Sequence, residues 1–348
     1  MPIIEAKPAK PVSRRTLLLA GGGSAAALVT GGVAATALIT DQSPPKAGSP
    51  AGVFDIAAAS RLLSPTPLHE VSGPQALAFD DTRGHLYTLQ GIPGGVRLAG
   101  ESRPRSSSQR RLHGDMCVSR LSRSGELLAH MYLRGFGHGI SLGIEPSGAQ
   151  VELWVESRAD PRTGYGRSVA RVPFRDRTVL DSSAPSVRHH SPLPGSHTVH
   201  PALDLSGRRV LVSHWTGRQH RYAVYPMDDF LAGRYRPSHT VLDTVRRKGE
   251  PLQGCALHGD FIYQLTGNPY TDEDGDNPPS AGGNTYLSAI ALRTGKPAGR
   301  RRVTVAPTLP FREPEGLAVR LTPRPALCMG FSTKARGRRE LSVYGFAG

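Results

Sequence analysis

The stretch GFGHGISLGIEPSG, residues 135–148, places a histidine between glycines at the head of a short apolar run that stops at a Pro-Ser-Gly turn. The same order recurs along the chain: a polar residue, a small residue or proline, a brief apolar stretch, and a turn or bend. The five polar residues that open these runs, 53 to 63 positions apart, are Gln75, His138, His200, Gln253 and Glu315. A near-constant period of this length is typical of propeller blades rather than of helical solenoids.

Each interval holds further short segments that are rich in β-branched and aromatic residues and bounded by Gly, Pro, Asp or Ser, as strands are. Second and third strands follow every opening run, and fourth strands, among them RTVL at residues 177–180, follow the first four. Helix is expected for at most one turn, in YPMDDFLAG, because 30 prolines and 40 glycines would interrupt a longer one. The sequence therefore predicts an all-β, five-bladed β-propeller over residues 53–348.

The fifth repeat has no fourth strand of its own, because Gly348 follows directly after its third. An unpaired sheet edge is a liability that proteins manage by pairing or covering it. The segment VFDIAAASRLL, which starts at Val53, precedes the first repeat and has no other role. We predict that it pairs with RELSVYGF and closes the last blade.

The first 37 residues have the pattern of an export signal. Arg14 and Arg15 precede an Ala/Gly-rich apolar run that ends at Ala35-Thr36-Ala37, which is similar to a cleavage site. Paired arginines in this position indicate the twin-arginine route, with a linker over residues 38–52. A membrane anchor is the alternative, since the apolar run exceeds twenty residues, although its glycines disfavour stable insertion. We expect a secreted or envelope-associated protein with at most peripheral or N-terminal membrane contact.

The net charge of the whole chain is +15, and removal of residues 1–37 would leave +12. Outside the membrane, such a surplus favours polyanionic neighbours such as phosphate-rich wall polymers or anionic lipid. Nucleic acid is a poor candidate partner, because the chain has an export signal and no recognisable nucleic-acid motif. Cys117, Cys255 and Cys328 each fall inside a predicted strand, which indicates small buried thiols rather than a disulfide framework.

At these repeats the domain resembles the five-bladed β-propeller family of teichoic acid biosynthesis protein C and staphylococcal phage receptor-binding proteins. The matching segments include FDIAAASRLLSPTPLHE, QALAFDDTRGHLYTLQG, GHGISLGIEPSG, LQGCALHGDFIYQLTGNPY and EGLAVRL, and they cover nearly all of residues 53–348. The resemblance implies a secreted or surface protein associated with cell-wall glycopolymers. It implies no particular chemistry, because a fold does not determine function.

In a propeller the innermost strand of each blade runs along the central channel, so the five opening residues form a ring around one end. His138, His200 and Glu315 are the candidate catalytic residues, because imidazoles with a carboxylate suit acid–base work or a divalent cation. Gln75 and Gln253 are candidate substrate-binding residues of the same ring. The alternative is structural: polar channel residues often only hold water and each other.

Other candidates lie outside the ring. Arg134, Arg158, Trp154 and Trp215 are predicted to lie on the channel-facing surface. Of these, Arg134, Trp154 and Trp215 are candidate substrate-binding residues, the tryptophans by stacking on sugar rings, although most aromatic residues of strands belong to the core. The insert GVRLAGESRPRSSSQRRLHGD, which starts at Gly95, is expected to be a solvated loop that could hold phosphates if it borders the channel mouth. The alternating carboxylates suggest a calcium site or a solvated hairpin tip: Asp272, Asp274 and Asp276.

Familiar enzyme signatures are absent from the sequence, including G-x-S-x-G, the Walker loop and H-E-x-x-H. The leading hypothesis is an exported propeller that binds an anionic, teichoic-acid-like glycopolymer at its channel mouth. The second is a hydrolase or lyase that cleaves such a polymer with His138, His200 and Glu315. The third is an adaptor surface for another envelope protein. No cofactor is expected apart from a divalent cation.

Overall fold

Antiparallel pairing organises the chain into five sheets within the residues that the computed structural model describes, 54–335 and 337–348. The predicted signal segment (1–37) and linker (38–52) lie outside these residues. In chain order, the strands are β1 (Ala59–Pro67), β2 (Pro74–Asp80), β3 (His85–Gly91), β4 (Met116–Leu121), β5 (Leu127–Arg134), β6 (Gly143–Ser147), β7 (Gln150–Ala159), β8 (Gly166–Pro173), β9 (Val179–Asp181), β10 (Arg188–His190), β11 (His197–Asp204), β12 (Arg209–Thr216), β13 (Gln219–Pro226), β14 (His239–Leu242), β15 (Leu252–His258), β16 (Phe261–Thr266), β17 (Tyr286–Ala291), β18 (Pro297–Arg302), β19 (Glu313–Arg320), β20 (Ala326–Ala335) and β21 (Arg338–Ala347).

The five sheets are the blades of a propeller. Blade 1 has the order β2-β3-β4-β5-β9, blade 2 β6-β7-β8-β10, blade 3 β11-β12-β13-β14, blade 4 β15-β16-β17-β18 and blade 5 β19-β20-β21-β1. The innermost strands β2, β6, β11, β15 and β19 contact one another around the axis. The predicted all-β, five-bladed fold is confirmed.

The last blade is closed by the N-terminal strand, as predicted. β1 pairs antiparallel with β21, with Ala59 opposite Phe346 and Pro67 opposite Glu340. Leu63 of β1 is buried in the apolar cluster between blades 5 and 1. The strand therefore fills the outer position of blade 5 and covers the edge that β21 would otherwise expose.

Each seam between neighbouring blades has its own apolar cluster, and the structure has no single central core. Side chains alternate across a strand, so each buried blade sends one set of residues into each adjoining seam. This arrangement explains how a domain of about 295 residues remains one unit, since it grows by adding seams. The three cysteines are free and buried, as their strand positions predicted.

The segment RTVL does not serve as the fourth strand of blade 2, which corrects the sequence-based assignment. It contributes β9, which pairs in parallel with β5 and adds a fifth strand to blade 1. The pairing is fixed by an ion pair of 2.8 Å from Arg134 Nε to Asp181 Oδ2. The outer strand of blade 2 is β10, which pairs with β8. After β8, the chain therefore first adds β9 to the outer edge of blade 1 and then returns to blade 2 to form β10.

The arginine- and serine-rich insert is not only a loop, which is a second correction. It forms helix α1 (Ser107–His113), which begins at a capping box made by Ser106 and Gln109. The predicted turn in YPMDDFLAG is confirmed as helix α2 (Met227–Leu231), and a 3-10 turn covers Pro279–Ala281. Among the described residues, no helix is long and apolar enough to cross a membrane.

Removal of β1 tests the closure of the ring. A chain that starts at Pro74 is expected to lose cooperative unfolding or to melt far below a chain that starts at Phe54. The reason is that β21 loses its partner and Leu63 no longer fills its seam; burial of one leucine alone is worth about 1.5–3 kcal/mol. Differential scanning calorimetry measures the effect, and equal melting of the two chains would contradict the closure.

Candidate functional site

One end of the propeller carries the five predicted ring residues: Gln75, His200, Gln253 and Glu315 lie in the first halves of β2, β11, β15 and β19, whereas His138 lies in the connection that precedes β6. Because neighbouring strands are antiparallel, this end also carries the loops that join the second and third strands of the blades. We call it the ring face. The loops there include the insert with α1, the hairpin around Tyr165 and the loop of residues 267–285.

The innermost strands approach each other closely at the ring face. A Cβ atom added to Gly316 would lie 2.7 Å from the backbone nitrogen of Leu77, in the next blade. One added to Gly254 would lie 2.7 Å from the backbone nitrogen of Leu317. No real Cβ contact is this short, so both positions need glycine. This close approach confirms the interpretation that small residues beside the ring allow the strands to crowd around the axis.

Gln75 and Glu315, which come from opposite ends of the described chain, meet in the ring. Gln75 Nε2 donates a hydrogen bond of 3.1 Å to Glu315 Oε1. Glu315 is only 4% exposed. Its burial, together with the nearby Glu313 carboxylate, holds the pKa of Glu315 well above the usual range, against the opposing effects of Arg339 and Gln75. Glu315 is therefore a neutral acid with a proton to donate.

His138 and His200 are brought together by a tyrosine between them. The ring centroids of His138 and Tyr165 are 4.7 Å apart, and Tyr165 contacts His200 edge-on at 6.0 Å. Burial lowers the pKa of His138, so this imidazole is neutral at neutral pH. The Nε2 atom of His200 is buried and has no hydrogen-bond partner among the described residues.

A second carboxylate, Glu156 of β7, completes this cluster. Its Oε1 lies 3.6 Å from His200 Nδ1, and both side chains are 1% exposed. The backbone N–H of Gly139 and that of Gly166, the latter at 2.6 Å, donate to its two oxygens. Burial alone would raise the pKa of Glu156, but His200 and the two N–H donors more than offset this effect and lower it. Glu156 is therefore held as an anion.

The arrangement differs from the predicted acid–base set. Among the described residues, neither His138 nor His200 forms a hydrogen bond or ion pair with Glu315; the ionised partner of His200 is Glu156. Instead, the ring holds a protonated carboxyl group and an ionised one, a difference that suits a general acid and a general base. The fifth ring residue, Gln253, donates to the backbone oxygen of Gly267 at 2.9 Å.

Glu156 and Tyr165 were missed by the sequence reasoning, which considered only the starts of the innermost strands. A signal was present for Glu156, because it is a charged residue inside the otherwise apolar strand VELWVES. A carboxylate in such a position is buried and must find donors. Tyr165 lies between two glycines in a hairpin loop, and no pattern in the sequence directs its ring toward the axis.

Beside the ring, a basic groove of about 820 Å³ runs between blades 2 and 3. We call it the blade 2–3 groove; its lining includes Arg158, Arg162, Tyr165, Arg167, Ser191, Ser196, His197 and Thr198. Tyr165 belongs to both groove and ring. Arg158 and Thr198 have left-handed backbones, with φ values of 56° and 55°. Such strain in residues other than glycine concentrates at functional sites, and β11 carries a register shift beside Thr198.

Arg158 is exposed and has no hydrogen bond or ion pair through its guanidinium among the described residues. The neighbouring Arg162 and Arg167 both pair with Asp160. Arg158 thus remains available for a ligand. Arg134, by contrast, is engaged by Asp181 and by the backbone oxygen of Ala99, at the edge of a second groove of about 750 Å³ beneath α1.

Helix α1 is fixed to this second groove by a buried arginine. Arg110 is 1% exposed and pairs with Glu101 and, at 2.8 Å, with Asp115. The hydrogen bonds from Arg110 lower the pKa of Glu101 to about 2. The carboxylates of Glu101 and Asp115 hold this cation within the fold. Among the described residues of the insert, the guanidiniums that are exposed and unpaired are those of Arg103 and Arg111.

The two tryptophans are placed differently from the prediction. The prediction that Trp154 faces the channel is wrong. Trp154 is 0% exposed, packs in the seam between blades 2 and 3, and donates its indole N–H to Glu145 at 2.8 Å. Trp215 is half-buried at the end of β12, between His197 and the guanidinium of Arg246. Strand alternation directs Trp154 into the seam because its neighbours in β7 take the other face.

The acidic loop of blade 4 exposes its aspartates to solvent, which is the arrangement expected of a solvated hairpin tip. Asp272, Asp274 and Asp276 are all exposed. Among residues 54–335 and 337–348, no group of three or more His, Cys, Asp or Glu side chains has the geometry to hold a metal ion. The loop is closed by hydrogen bonds from Asn277, whose side-chain amide donates to the backbone oxygens of Asn268 and Pro269.

A chain of polar residues in blade 3 has the order of a hydrolytic triad. Ser213 Oγ lies 2.8 Å from His220 Nε2, and His220 Nδ1 lies 2.7 Å from Asp243 Oδ2. Ser213 is 0% exposed and does not belong to the lining of either groove of the ring face. Asp243 also accepts from Gln264 of the neighbouring blade at 2.9 Å. The chain therefore joins blades 3 and 4 and is structural.

The sequence model of one known family covers most of the propeller. It is the phage 5-bladed beta propeller receptor binding platform domain, and it matches residues 74–345. This range starts at β2 and ends within β21, so it includes all five innermost strands.

Two similar proteins each match this chain over most of its length. Major teichoic acid biosynthesis protein C of Bacillus subtilis (strain 168) is 24% identical over 285 residues, 78% of this chain. The tail fiber of Staphylococcus aureus phage P68 has a TM-score of 0.64 at 18% identity, over 83% of this chain, which demonstrates a shared fold. The chain spans only 59% of the first relative and 52% of the second.

The protonated state of Glu315 can be tested by Glu315→Gln. In the wild type the unfolded carboxyl ionises near its usual pKa, whereas the folded one retains its proton, so the free energy of unfolding falls as pH rises above about 4.3. The amide cannot ionise but can still accept from Gln75. We expect the variant to gain stability over wild type as pH increases, by about 1.4 kcal/mol for each unit by which the folded pKa is raised.

Thermal melts between pH 4 and pH 9 measure this effect. The matched control is Glu126→Gln, which changes an exposed carboxyl in the turn before β5. A Glu315→Gln curve that runs parallel to that of wild type would show that Glu315 is ionised in the folded protein.

Proposed function

Because the chain belongs to the phage five-bladed β-propeller receptor-binding platform family, we propose that it binds an anionic cell-wall glycopolymer, similar to teichoic acid, at the ring face. The observation that carries this proposal is the blade 2–3 groove, which opens beside the ring and presents the unpaired guanidinium of Arg158. A guanidinium matches the geometry of a phosphate and can bind it through two parallel hydrogen bonds.

The exposed charges around the groove support a phosphate-bearing ligand. Arg103 and Arg111 lie in the insert of blade 1 and Arg158 lies near the end of β7 in blade 2, all on the ring face, and each is exposed without an ion pair among the described residues. Arg111 is close enough to lower the pKa of His138, although less than burial does. Hydroxyl groups of Ser191 and Ser196 line the same groove and suit the hydroxyls of a sugar or polyol.

The relatives support the class of ligand. One is named for teichoic acid biosynthesis, and the other is a tail fiber of a Staphylococcus aureus phage. We place this protein outside the cytoplasm or in the cell envelope, exported by the predicted twin-arginine signal. Since the chain spans only part of each relative, we assign to it only what a propeller could do alone.

The binding test uses Arg111→Ala/Arg158→Ala in the full chain. We expect retention on purified Gram-positive cell walls to weaken on the order of tenfold, since each exposed guanidinium–phosphate contact is worth about 0.2–1 kcal/mol. Retention by the wild type should also fall as salt is raised from 50 to 500 mM, because screening weakens exposed charge pairs. Sedimentation with walls measures both effects.

The matched control is Arg236→Ala/Arg293→Ala. These two arginines are exposed, have no guanidinium partner among the described residues and lie in turns on the opposite face, so the variant has the same net charge. Equal losses in the two variants would contradict a site on the ring face. Binding that persists on walls stripped of phosphodiester-linked polymers would instead favour a protein partner.

A second candidate function is cleavage of the same polymer by the ring. The observation in its favour is that two buried carboxyl groups have different surroundings: Glu315 accepts a hydrogen bond from Gln75, whereas Glu156 lies 3.6 Å from His200 Nδ1 and accepts from two backbone N–H groups. Burial raises the pKa of Glu315, and His200 with the backbone donors lowers that of Glu156 despite its burial. Such a pair can protonate a leaving oxygen and activate a water. His138, His200 and Glu315 would then belong to a hydrolase or lyase of a glycan or phosphodiester.

Cleavage predicts that the protein releases soluble phosphate-containing fragments from purified walls. His138→Ala and Glu315→Gln should reduce the release by about 100-fold or more, the typical contribution of one acid–base group. Both variants should retain wall binding, which depends on Arg158. Absence of fragments with wild-type protein after prolonged incubation would exclude this function and leave binding.

A further inference from the structure

A separate cavity lies between blades 5 and 1 on the face opposite the ring face. Its walls include the turn between β2 and β3 and the end of β19, and its volume is about 200 Å³. Apolar side chains from four strands form part of the wall: Leu62, Phe79, Leu86 and Val343. Two of them belong to the pair β1 and β21 that closes the ring.

The size of the cavity restricts its occupant. An apolar cavity of roughly 150 Å³ accepts benzene, whereas sites for drug-sized ligands measure roughly 300–1,000 Å³. A volume of about 200 Å³ therefore suits a short chain or small ring rather than a polymer segment. This cavity is thus unrelated to the grooves of the ring face.

Two cations border the cavity without partners. The guanidiniums of Arg123 and Arg320 have no hydrogen bond or ion pair among the described residues. The Nε atom of Arg320 is also buried without an acceptor. A buried N–H with no acceptor is costly, so an occupant with anionic oxygens would stabilise this position.

The acidic residues at the rim, Asp80 and Asp81, form no ion pair with these cations among the described residues. Asp81 accepts the backbone N–H groups of Leu321, at 2.7 Å, and Thr322, at 3.3 Å, and so ties blade 1 to blade 5. Asp80 is occupied by Arg83, at 2.9 Å, and by backbone donors of its own turn. The only other titratable group in the wall is His85, whose pKa is lowered by burial and by Arg120, and which is therefore neutral at neutral pH.

We propose that this cavity binds a small amphiphilic anion, a short alkyl chain with a carboxylate or phosphate head. The chain lies against Leu62, Phe79 and Val343, and the head lies between Arg320 and Arg123. Because the cavity is shared by β1, β21 and blade 1, the ligand binds only the closed ring and stabilises it. Carboxylate and phosphate heads have the same charge complementarity, and the probes below distinguish them.

The test is titration calorimetry of the full chain with octanoate and with octyl phosphate. Octanol, which lacks the anion, and butanoate, which lacks four methylenes, are the matched ligands. We expect one site per chain for at least one anionic probe, with affinity at least tenfold above that for octanol or butanoate. Binding should also raise the melting temperature of the protein.

Two variants locate the site. Arg320→Gln removes the cation and Leu62→Phe fills the cavity, and each should weaken binding of the anionic probe at least tenfold; Arg293→Gln, at a distant turn, should leave it unchanged. Preference for octanoate or for octyl phosphate identifies the head group. Octanol binding as tightly as the anions, unchanged affinity in both Arg320→Gln and Leu62→Phe, or no binding at millimolar probe would each overturn the proposal.

Discussion

The close approach of the innermost strands around the axis is the constraint on which the ring depends. At Gly316 and Gly254 the backbone of the next blade lies where a Cβ atom would be. The adjoining polar residues, Glu315 and Gln253, are therefore held at one level around a narrow opening. Side chains confined in this way lose water, and lost water is the main cause of the raised pKa of Glu315 and the lowered pKa of His138. The electrostatics of the site thus follow from backbone spacing.

Most of the fold could be predicted because its information is local and repeated. In the sequence, each blade begins with a polar residue, a small residue and short apolar runs. The closing strand was predicted because the last repeat contains only three strands of its own. Two elements could not be predicted in this way. β9 leaves its own repeat to cover the edge of β5, a choice made by tertiary contacts such as Arg134 with Asp181. Helix α1 is only seven residues long and depends on the buried ion pairs of Arg110.

The sequence predicted where on the propeller the candidate site lies, but not all of the residues that form it. Repeat alignment indicated the end of the channel, and there Gln75 does meet Glu315. It could not reveal Glu156 or Tyr165, because these reach the axis from the second strand and a hairpin rather than from the start of the innermost strand. The prediction for Trp154 was wrong for a related reason. The side of the sheet to which a strand residue points depends on the register of the strand, and the register of β7 cannot be read from the sequence.

Net charge alone indicates an anionic partner but not where it binds, because pairing decides which cations are available. The overall charge of +15 includes many arginines that the fold consumes, such as Arg110 with its two carboxylates. On the ring face, exposed guanidiniums without a partner among the described residues lie in blades 1, 2 and 3, among them Arg111, Arg158, Arg218 and Arg247, whereas the loop of residues 271–276 in blade 4 is exposed and acidic. A polyanion is thus attracted to one side of the ring and repelled from the other. In the proposed binding mode, this asymmetry would direct a polymer toward the blade 2–3 groove, whose lining includes Tyr165 in contact with His138 and His200.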